Sequence, residues 1–358
     1  MASDLAPNFG NDTIHFQLLA AGCAPRVAEA SSNVTAPAGK GMIMSLNRRE
    51  FCKKLGYGAA GMAAAASLGR LGAPTSHAAL GNGAVPKRKL GRNGLMASVL
   101  AMGAGSRFTG DDFLSQADRE AYLAACMDHG INYVDTAVSY GPSEEMLGDM
   151  LTDNDWDHFI LSTKTNSNTH DGIMADFQTS QSRLGRDHFD VYLVHNGALG
   201  NSVEENAEAF STMQQLREAG DVANIGFSSH GAVSPAVAIE LVEEFELDHC
   251  ILTIGHGQED YREVIPDIVA TGCTVAAFKV TRHLEGDGPG SNARDIYRDV
   301  LERPYTSAII SHSNEGEGVT WRDVLAENLA TARHYGEPGD THAALPAVKV
   351  PMFSSLAD

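Results

Sequence analysis

The chain has 358 residues, of which 43% are hydrophobic and 20% are charged, and this ordinary globular mixture excludes wholesale disorder and collagen-like repeats. Its 46 acidic residues outnumber its 26 basic residues and give a formal charge of −20, so a nucleic-acid partner is not expected. No stretch approaches the ~20 uninterrupted apolar residues of a membrane-spanning helix, so an integral membrane segment is not expected either.

Residues 42–78 contain the three parts of an export signal in the correct order. Arg48 and Arg49 precede a weakly apolar run, residues 55–68, and a small-residue site follows that suits cleavage after Ala78. The arrangement resembles a twin-arginine signal, which implies that the twin-arginine export machinery carries the folded protein to the periplasm. A surface helix with two chance arginines, in a cytoplasmic protein, is the alternative.

The rest of the chain divides around this segment. Residues 1–41 show no clear pattern, and we expect translation to begin near Met42 or Met44. Removal of the signal leaves 280 residues, close to the roughly 250 of a (β/α)₈ barrel. We therefore predict a barrel over residues 79–335 and a C-terminal tail over residues 336–358.

Eight short apolar runs alternate with helical patterns, which is typical of parallel strands joined by crossover helices. The runs are residues 98–102, 131–134, 159–163, 191–194, 223–227, 250–254, 273–278 and 308–310. Their strict alternation predicts an α/β fold of the (β/α)₈ TIM-barrel type. A doubly wound open sheet is the competing architecture, but no GxGxxG follows the first run to indicate a Rossmann site.

Several helix ends are marked in the sequence. Ser202 and Glu205 have the spacing of a capping box, and Gly220 ends the helix that this box begins. Gly130 ends the helix before the second strand in the same way. A last amphipathic helix is predicted over about residues 321–333.

Four chemically useful side chains lie at or just after the ends of successive strands. Asp135 ends the second strand, Tyr140 lies in the loop after it, Lys164 ends the third strand and His195 ends the fourth. Each residue alone has an ordinary explanation: a helix cap, a turn residue, a solvated lysine or a structural histidine. Because active sites of such barrels gather at the carboxyl ends of the strands, the four together predict one catalytic pocket.

The segments that carry these residues resemble the aldo/keto reductase family. Residues 135–148 (DTAVSYGPSEEMLG) are similar to its signature, residues 161–164 (LSTK) to its lysine strand, and residues 190–195 (DVYLVH) to its histidine strand. The opening segment 89–95 (KLGRNGL) is similar as well. The resemblance covers about residues 87–332 and implies an oxidoreductase.

The resemblance also implies a mechanism. A nicotinamide cofactor delivers hydride to a carbonyl carbon while Tyr140 protonates the carbonyl oxygen. A free tyrosine has a pKa of about 10, too high for efficient proton transfer at neutral pH. Lys164 is therefore expected to lie near the phenol and lower its pKa, Asp135 to hold Lys164 charged, and His195 to hydrogen-bond the substrate carbonyl.

Cofactor contacts are implied at several strand ends and in the last helix. They are Gly103, Ala104, Ser228, Ser229, Phe278, Lys279, Ser313, Glu327 and Asn328. Ser229 departs from the Ser-Asn pair that is usual in the family. The choice between NADP and NAD stays open, because Glu315 and Glu317 precede the last helix where a cation normally binds the 2′-phosphate.

The sequence thus predicts an NAD(P)-dependent enzyme that reduces an aldehyde or ketone, or oxidises the corresponding alcohol. A non-catalytic nucleotide-binding or regulatory barrel is the alternative. The weak 2′-phosphate site supports this alternative, whereas the four clustered polar groups argue against it. The five cysteines show no CxxC spacing, so no metal site or disulfide framework is expected.

Overall fold

The computed structural model describes residues 80, 82–254, 261–278, 301, 307–310 and 320–335, with side chains up to residue 333. The chain divides into two units, residues 1–72 and 73–358, and every described residue belongs to the second. The predicted export signal and the predicted C-terminal tail lie outside the described residues, so the proposed boundaries of these segments stay predictions.

A short hairpin and eight parallel strands form the β-structure. The antiparallel hairpin consists of β1 (Lys87–Leu90) and β2 (Leu95–Ser98). The closed barrel consists of β3 (Leu100–Gly103), β4 (Tyr133–Asp135), β5 (Ile160–Thr165), β6 (Phe189–Val194), β7 (Val222–Ser229), β8 (His249–Thr253), β9 (Thr274–Phe278) and β10 (Ser307–Ile310), paired in chain order. Parallel pairing of β10 with β3 closes the cylinder, and the predicted (β/α)₈ barrel is confirmed.

Helices follow the strands on the outside of the barrel. They are α1 (Ser106–Thr109), α2 (Gln116–Asp128), α3 (Ser143–Met150), α4 (Asp153–Trp156), α5 (His170–Leu184), α6 (Val203–Ala219), α7 (Pro235–Glu244), α8 (Ile265–Ala270) and α9 (Trp321–Tyr335). Among the residues that the structure covers, no helix has the length and apolar character required to cross a membrane.

The predicted ends of α6 are largely correct. The Ser202 side chain accepts a hydrogen bond from the Glu205 backbone N–H, and Gly220 adopts the left-handed conformation (φ 82°) that ends the helix. The prediction of a full capping box is wrong, however. The Glu205 carboxylate accepts from the backbone N–H of Asn201 rather than of Ser202, so only one of the two reciprocal bonds forms.

Successive side chains of each strand point alternately into the barrel and toward the helices, and this alternation forms two apolar layers. Val191 and Leu193 of β6 point into the barrel, whereas Tyr192 and Val194 of the same strand pack against the helices. Both layers are shielded from water. The sequences of the strands are therefore continuously apolar, which is typical of parallel strands that are covered on both faces.

The hairpin closes the amino-terminal end of the barrel. Leu90 and Ala97 join the apolar cluster inside the cylinder, and the Gly91 N–H donates to Thr274 Oγ1 at 2.8 Å. Gly91 has φ +66°, and a Cβ there would lie 1.8 Å from Asn224 Oδ1, so only glycine fits this approach. Because the hairpin covers this end, a binding or catalytic site is expected at the opposite end, where the carboxyl ends of the strands and the loops after them are polar.

Candidate active site

A buried ion pair lies at the carboxyl ends of β4 and β5. Lys164 Nζ donates to both carboxylate oxygens of Asp135, at 2.8 and 2.7 Å, and to the backbone carbonyl of Thr136 at 2.7 Å. Ser162 Oγ donates to Asp135 as well, at 2.9 Å. The two ionic residues are only 1% and 5% exposed, so this density of charge-assisted bonds is what makes their burial possible.

Tyr140 lies beside this pair, in the loop between β4 and α3. Lys164 Nζ is 4.9 Å from the centroid of the Tyr140 ring. Burial raises the pKa of Tyr140, the positive charge of Lys164 lowers it and the negative charge of Asp135 raises it again, so the pKa is raised overall. Lys164 thus acts on the pKa of Tyr140 in the predicted direction, but the net pKa is raised rather than lowered, because desolvation of the phenolate outweighs its attraction to the ammonium group.

Lys164 shows the opposite balance. Burial by itself lowers the pKa of Lys164, but the charges of Asp135 and Tyr140 and their hydrogen bonds raise it, and the net pKa lies above the ordinary value. The ammonium group is thus charged at neutral pH although its side chain is shielded from water. Asp135 supplies the main compensation, as the sequence predicts.

His195 continues the line of β6 and completes the group. Its backbone N–H donates to the carbonyl of Thr165 at 2.9 Å, which ties the residue to the end of β5. Its ring is 5.5 Å from the ring of Tyr140, centroid to centroid, in an edge-to-face arrangement. The ring atom Nδ1 lies 3.1 Å from Ser139 Oγ. The structure therefore brings all four predicted catalytic residues together at the mouth of the barrel.

The loop that carries Tyr140 is supported from outside the barrel by residues that the strand-end pattern did not single out. Arg183 of α5 donates to the backbone carbonyl of Val138 at 3.0 Å, and the Val138 N–H donates to the carbonyl of Lys164. Arg183 also lies 3.5 Å from the fully buried carboxylate of Glu144. Glu144 belongs to the segment that resembles the family signature, but no local pattern marks Arg183, 45 residues from Val138.

The two serines at the end of β7 face opposite sides of the strand. Ser229 Oγ is 2.7 Å from Tyr261 Oη and accepts from the backbone N–H of Ala232, so its hydroxyl serves the outer layer. Ser228 faces the interior and is 3% exposed, and its hydroxyl has no hydrogen-bond partner among the described residues. A buried hydroxyl without a partner costs free energy, so Ser228 is a better candidate than Ser229 for a polar contact with a bound group.

Gly103 and Ala104 lie next to the ion pair. Gly103 pairs with Asp135, and a Cβ on Gly103 would come 3.0 Å from Ile309 Cγ2, tighter than ordinary contacts. Ala104 is buried; its N–H donates to the Asp135 carbonyl at 2.8 Å, and its own carbonyl accepts from Ser143 Oγ. The backbone of Ala104 thus serves the fold, and the missing side chain of Gly103 lets Ile309 of β10 pack closely against the end of β3.

The remaining predicted cofactor contacts are farther along the chain. Phe278 ends β9 with its ring centroid 5.9 Å from that of His230. Glu327 and Asn328 are adjacent on α9, where Asn328 is buried and Glu327 is half-buried. Outside the described residues lie Lys279, Ser313, Glu315 and Glu317. Among the parts of the chain that are described, no cluster of His, Cys, Asp and Glu could hold a metal ion.

Comparison with known proteins now decides the family. The family model described as "Aldo/keto reductase family" matches residues 99–249. D-threo-aldose 1-dehydrogenase of Pseudomonas sp is 31% identical over 240 residues, which cover 56% of this chain and 72% of that protein. The chain belongs to the aldo/keto reductase family. The resemblance of residues 135–148, 161–164 and 190–195 to that family is therefore confirmed.

Two further comparisons extend this aldo/keto reductase assignment. An uncharacterised oxidoreductase of Bacillus subtilis (strain 168) is 31% identical over 172 residues, so that the match spans 44% of this chain but only about half, 52%, of the relative. A solved structure of an aldo/keto reductase from Pseudomonas aeruginosa superimposes with a TM-score of 0.57 at 25% identity. That match covers 69% of this chain and 94% of the solved chain, so the barrel is shared almost entirely.

Proposed function

We propose that this aldo/keto reductase reduces an aldehyde or ketone, or oxidises the corresponding alcohol, with Tyr140 as the general acid and base. The observation that carries the proposal is the buried Asp135–Lys164 ion pair beside Tyr140 and His195. A barrel without chemistry has no need to bury a charged lysine next to a phenol, because burial of such a pair rarely stabilises a fold.

The chain's own residues supply the proton chemistry. Reduction leaves negative charge on the carbonyl oxygen, and Tyr140 donates its phenolic proton to that oxygen. The phenolate that forms faces the ammonium group of Lys164, which stabilises it electrostatically at the moment when the charge develops. The raised pKa of Tyr140 keeps the phenol protonated through neutral pH, and release of its proton then depends on the charge of Lys164, which offsets part of the cost of the buried phenolate.

A nicotinamide dinucleotide, which members of this family typically use, supplies the hydride when bound. The residues present fit such a group, since Ser228 offers a carboxamide a buried hydroxyl that has no hydrogen-bond partner among the described residues. We include Ser228 and Phe278 in the proposed cofactor site, whereas Gly103 lets Ile309 pack against the strand end beside it. Ser229 and Ala104 hold the strand ends that form it.

The proposed substrate is a small hydroxylated carbonyl compound such as an aldose. Polar side chains follow the catalytic strands at the mouth, namely Asn166 after β5 and Asn196 after β6, although Oδ1 of Asn196 already accepts from the backbone N–H of His230 at 2.8 Å. Amide groups can donate to and accept from hydroxyl groups, which an apolar pocket cannot do. Similarity to a protein named as an aldose dehydrogenase supports the same class.

The experiment compares wild-type protein with Tyr140→Phe. NADH and NADPH are titrated by fluorescence, and turnover is screened with a panel of aldoses and simple aldehydes. We expect Tyr140→Phe to lower kcat by about 10²–10⁴-fold while dinucleotide affinity stays unchanged. Tyr192→Phe is the matched control, because Tyr192 packs toward the helices. Wild-type protein that binds a dinucleotide but turns over no carbonyl would instead support the non-catalytic alternative.

We also propose that the twin-arginine-like segment, residues 42–78, directs export to the periplasm. The support is the order of its parts around Arg48 and Arg49. A fusion of residues 42–79 to a reporter that folds in the cytosol tests the proposal. Periplasmic reporter is expected for the native segment, with loss of export after replacement of both arginines by lysine. A reporter that stays in the cytoplasm with the native segment overturns it.

A further inference from the structure

A hydrogen bond joins the residue before the catalytic tyrosine to the catalytic histidine. Ser139 Oγ lies 3.1 Å from Nδ1 of His195, although the two residues are 56 positions apart. The contact bridges the loop after β4 and the end of β6, so it spans the two elements that present Tyr140 and His195 to the same pocket.

The backbone on both sides of Ser139 is fixed. Val138 uses its N–H on the carbonyl of Lys164 and its own carbonyl on Arg183, and the Tyr140 N–H donates to the carbonyl of Ala137. The Ser139 side chain therefore starts from an anchored position rather than from a free loop. A hydroxyl group on an anchored backbone can bind its partner at little entropic cost.

The chemistry of imidazole makes this contact consequential. A neutral histidine carries its proton on either Nδ1 or Nε2, and the partner of one nitrogen determines which tautomer is present. A substrate carbonyl oxygen accepts hydrogen bonds only, so the nitrogen that faces it must be the protonated one. A backbone carbonyl at Nδ1 would require the tautomer with Nδ1–H, whereas a hydroxyl, which can donate as well as accept, permits the tautomer with Nε2–H.

We propose that Ser139 is a positioning residue whose hydroxyl donates to Nδ1 of His195 and thereby holds the Nε2–H tautomer, which can donate to the substrate carbonyl. The proposal rests on the proposed carbonyl chemistry and deepens it. Ser139 does not itself touch the reacting atoms in this role. It acts through the proton and the ring orientation of His195.

The size of the effect follows from the exposure of the contact. Ser139 is solvent-exposed, so water competes with it, and the contact has the strength of an ordinary neutral hydrogen bond. Such a bond shifts a two-state equilibrium by about fivefold. We therefore expect Ser139→Ala to lower kcat/KM for carbonyl reduction by about fivefold, without a change in dinucleotide affinity.

The test combines a spectroscopic reading with kinetics. The ring nitrogens of ¹⁵N-labelled His195 report the tautomer directly, and His195→Gln identifies their signals. The wild-type protein is expected to show an unprotonated Nδ1 and a protonated Nε2, and Ser139→Ala to show a more even mixture. Ser139→Thr, which keeps the hydroxyl group, should restore both the tautomer and the rate. Ser106→Ala, at the exposed first residue of α1, is the matched control.

Two results overturn the proposal. The first is a wild-type His195 with its proton on Nδ1, which would make Ser139 the acceptor. The second is a Ser139→Ala protein with the tautomer ratio and kcat/KM of the wild type. Failure of the proposed carbonyl chemistry is a separate outcome: the wild type would show no turnover, while the ¹⁵N spectrum would still report which nitrogen of His195 is protonated.

Discussion

Replacement of Asp135 by Asn tests whether the ion pair keeps a charged lysine inside the barrel. Asparagine has nearly the same shape but offers Lys164 no negative charge, and the Lys164 side chain is 1% exposed. If Lys164 stays charged, an uncompensated buried charge costs about 3–5 kcal/mol. If it releases its proton instead, the cost at pH 7 follows from its ordinary pKa of 10.5 and is about 5 kcal/mol. The second route sets an upper limit on the loss of stability.

The pH dependence separates this explanation from a general packing defect. In the wild type the Lys164 pKa is raised, so the stabilisation is complete below pH 10.5 and is lost only as pH rises through the still higher folded-state pKa. In Asp135→Asn, burial has lost its main opposing charge, and we expect it to lower the Lys164 pKa below 10.5. The unfolded state then binds more protons, and stability rises with pH. The upper limit falls to about 2 kcal/mol at pH 9.

The assay is urea denaturation of both proteins at pH 7 and pH 9, followed by tryptophan fluorescence. We expect the difference in unfolding free energy to shrink from about 3–5 kcal/mol at pH 7 to at most about 2 kcal/mol at pH 9. Asp112→Asn, at an exposed loop position, is the control and should change stability by less than about 0.5 kcal/mol at either pH. A difference that is equal at both pH values, or larger at pH 9, refutes the reasoning.

Two further predictions concern the interior of the barrel. Burial lowers the pKa of His249 to about 3, so its contribution to stability is present above pH 6.5 and is lost as pH falls toward 3. Unfolding experiments should show a loss of about 2 kcal/mol between pH 7.5 and pH 5 that is absent in His249→Gln; an unchanged slope in that variant would contradict the assignment. A Cβ at Gly226 would lie 1.7 Å from the backbone oxygen of His249, so Gly226→Ala should lower the unfolding free energy by about 3 kcal/mol or more, measured by the same denaturation. A variant as stable as the wild type would show that these strands can separate.

Local patterns in the sequence were sufficient for the architecture. The run 191–194 lies inside β6 and the run 223–227 inside β7, and Ser202 and Gly220 flank α6 as predicted. These features depend on periodicity and on the conformations that single residues allow, and both are properties of a few neighbouring residues. The convergence of the four polar strand ends also followed, because parallel strands of a barrel all end on the same side.

Tertiary structure alone decided the finer properties of the site. Whether Ser228 or Ser229 points inward depends on the register of β7, since a shift of one residue exchanges the two faces. The support of Val138 by Arg183 and the contact of Ser139 with His195 join residues 45 and 56 positions apart, which no local pattern connects. The direction in which the Tyr140 pKa shifts could not be predicted from the sequence either. The net shift depends on the balance between the cost of burying the phenolate and its attraction to Lys164, and both depend on three-dimensional packing.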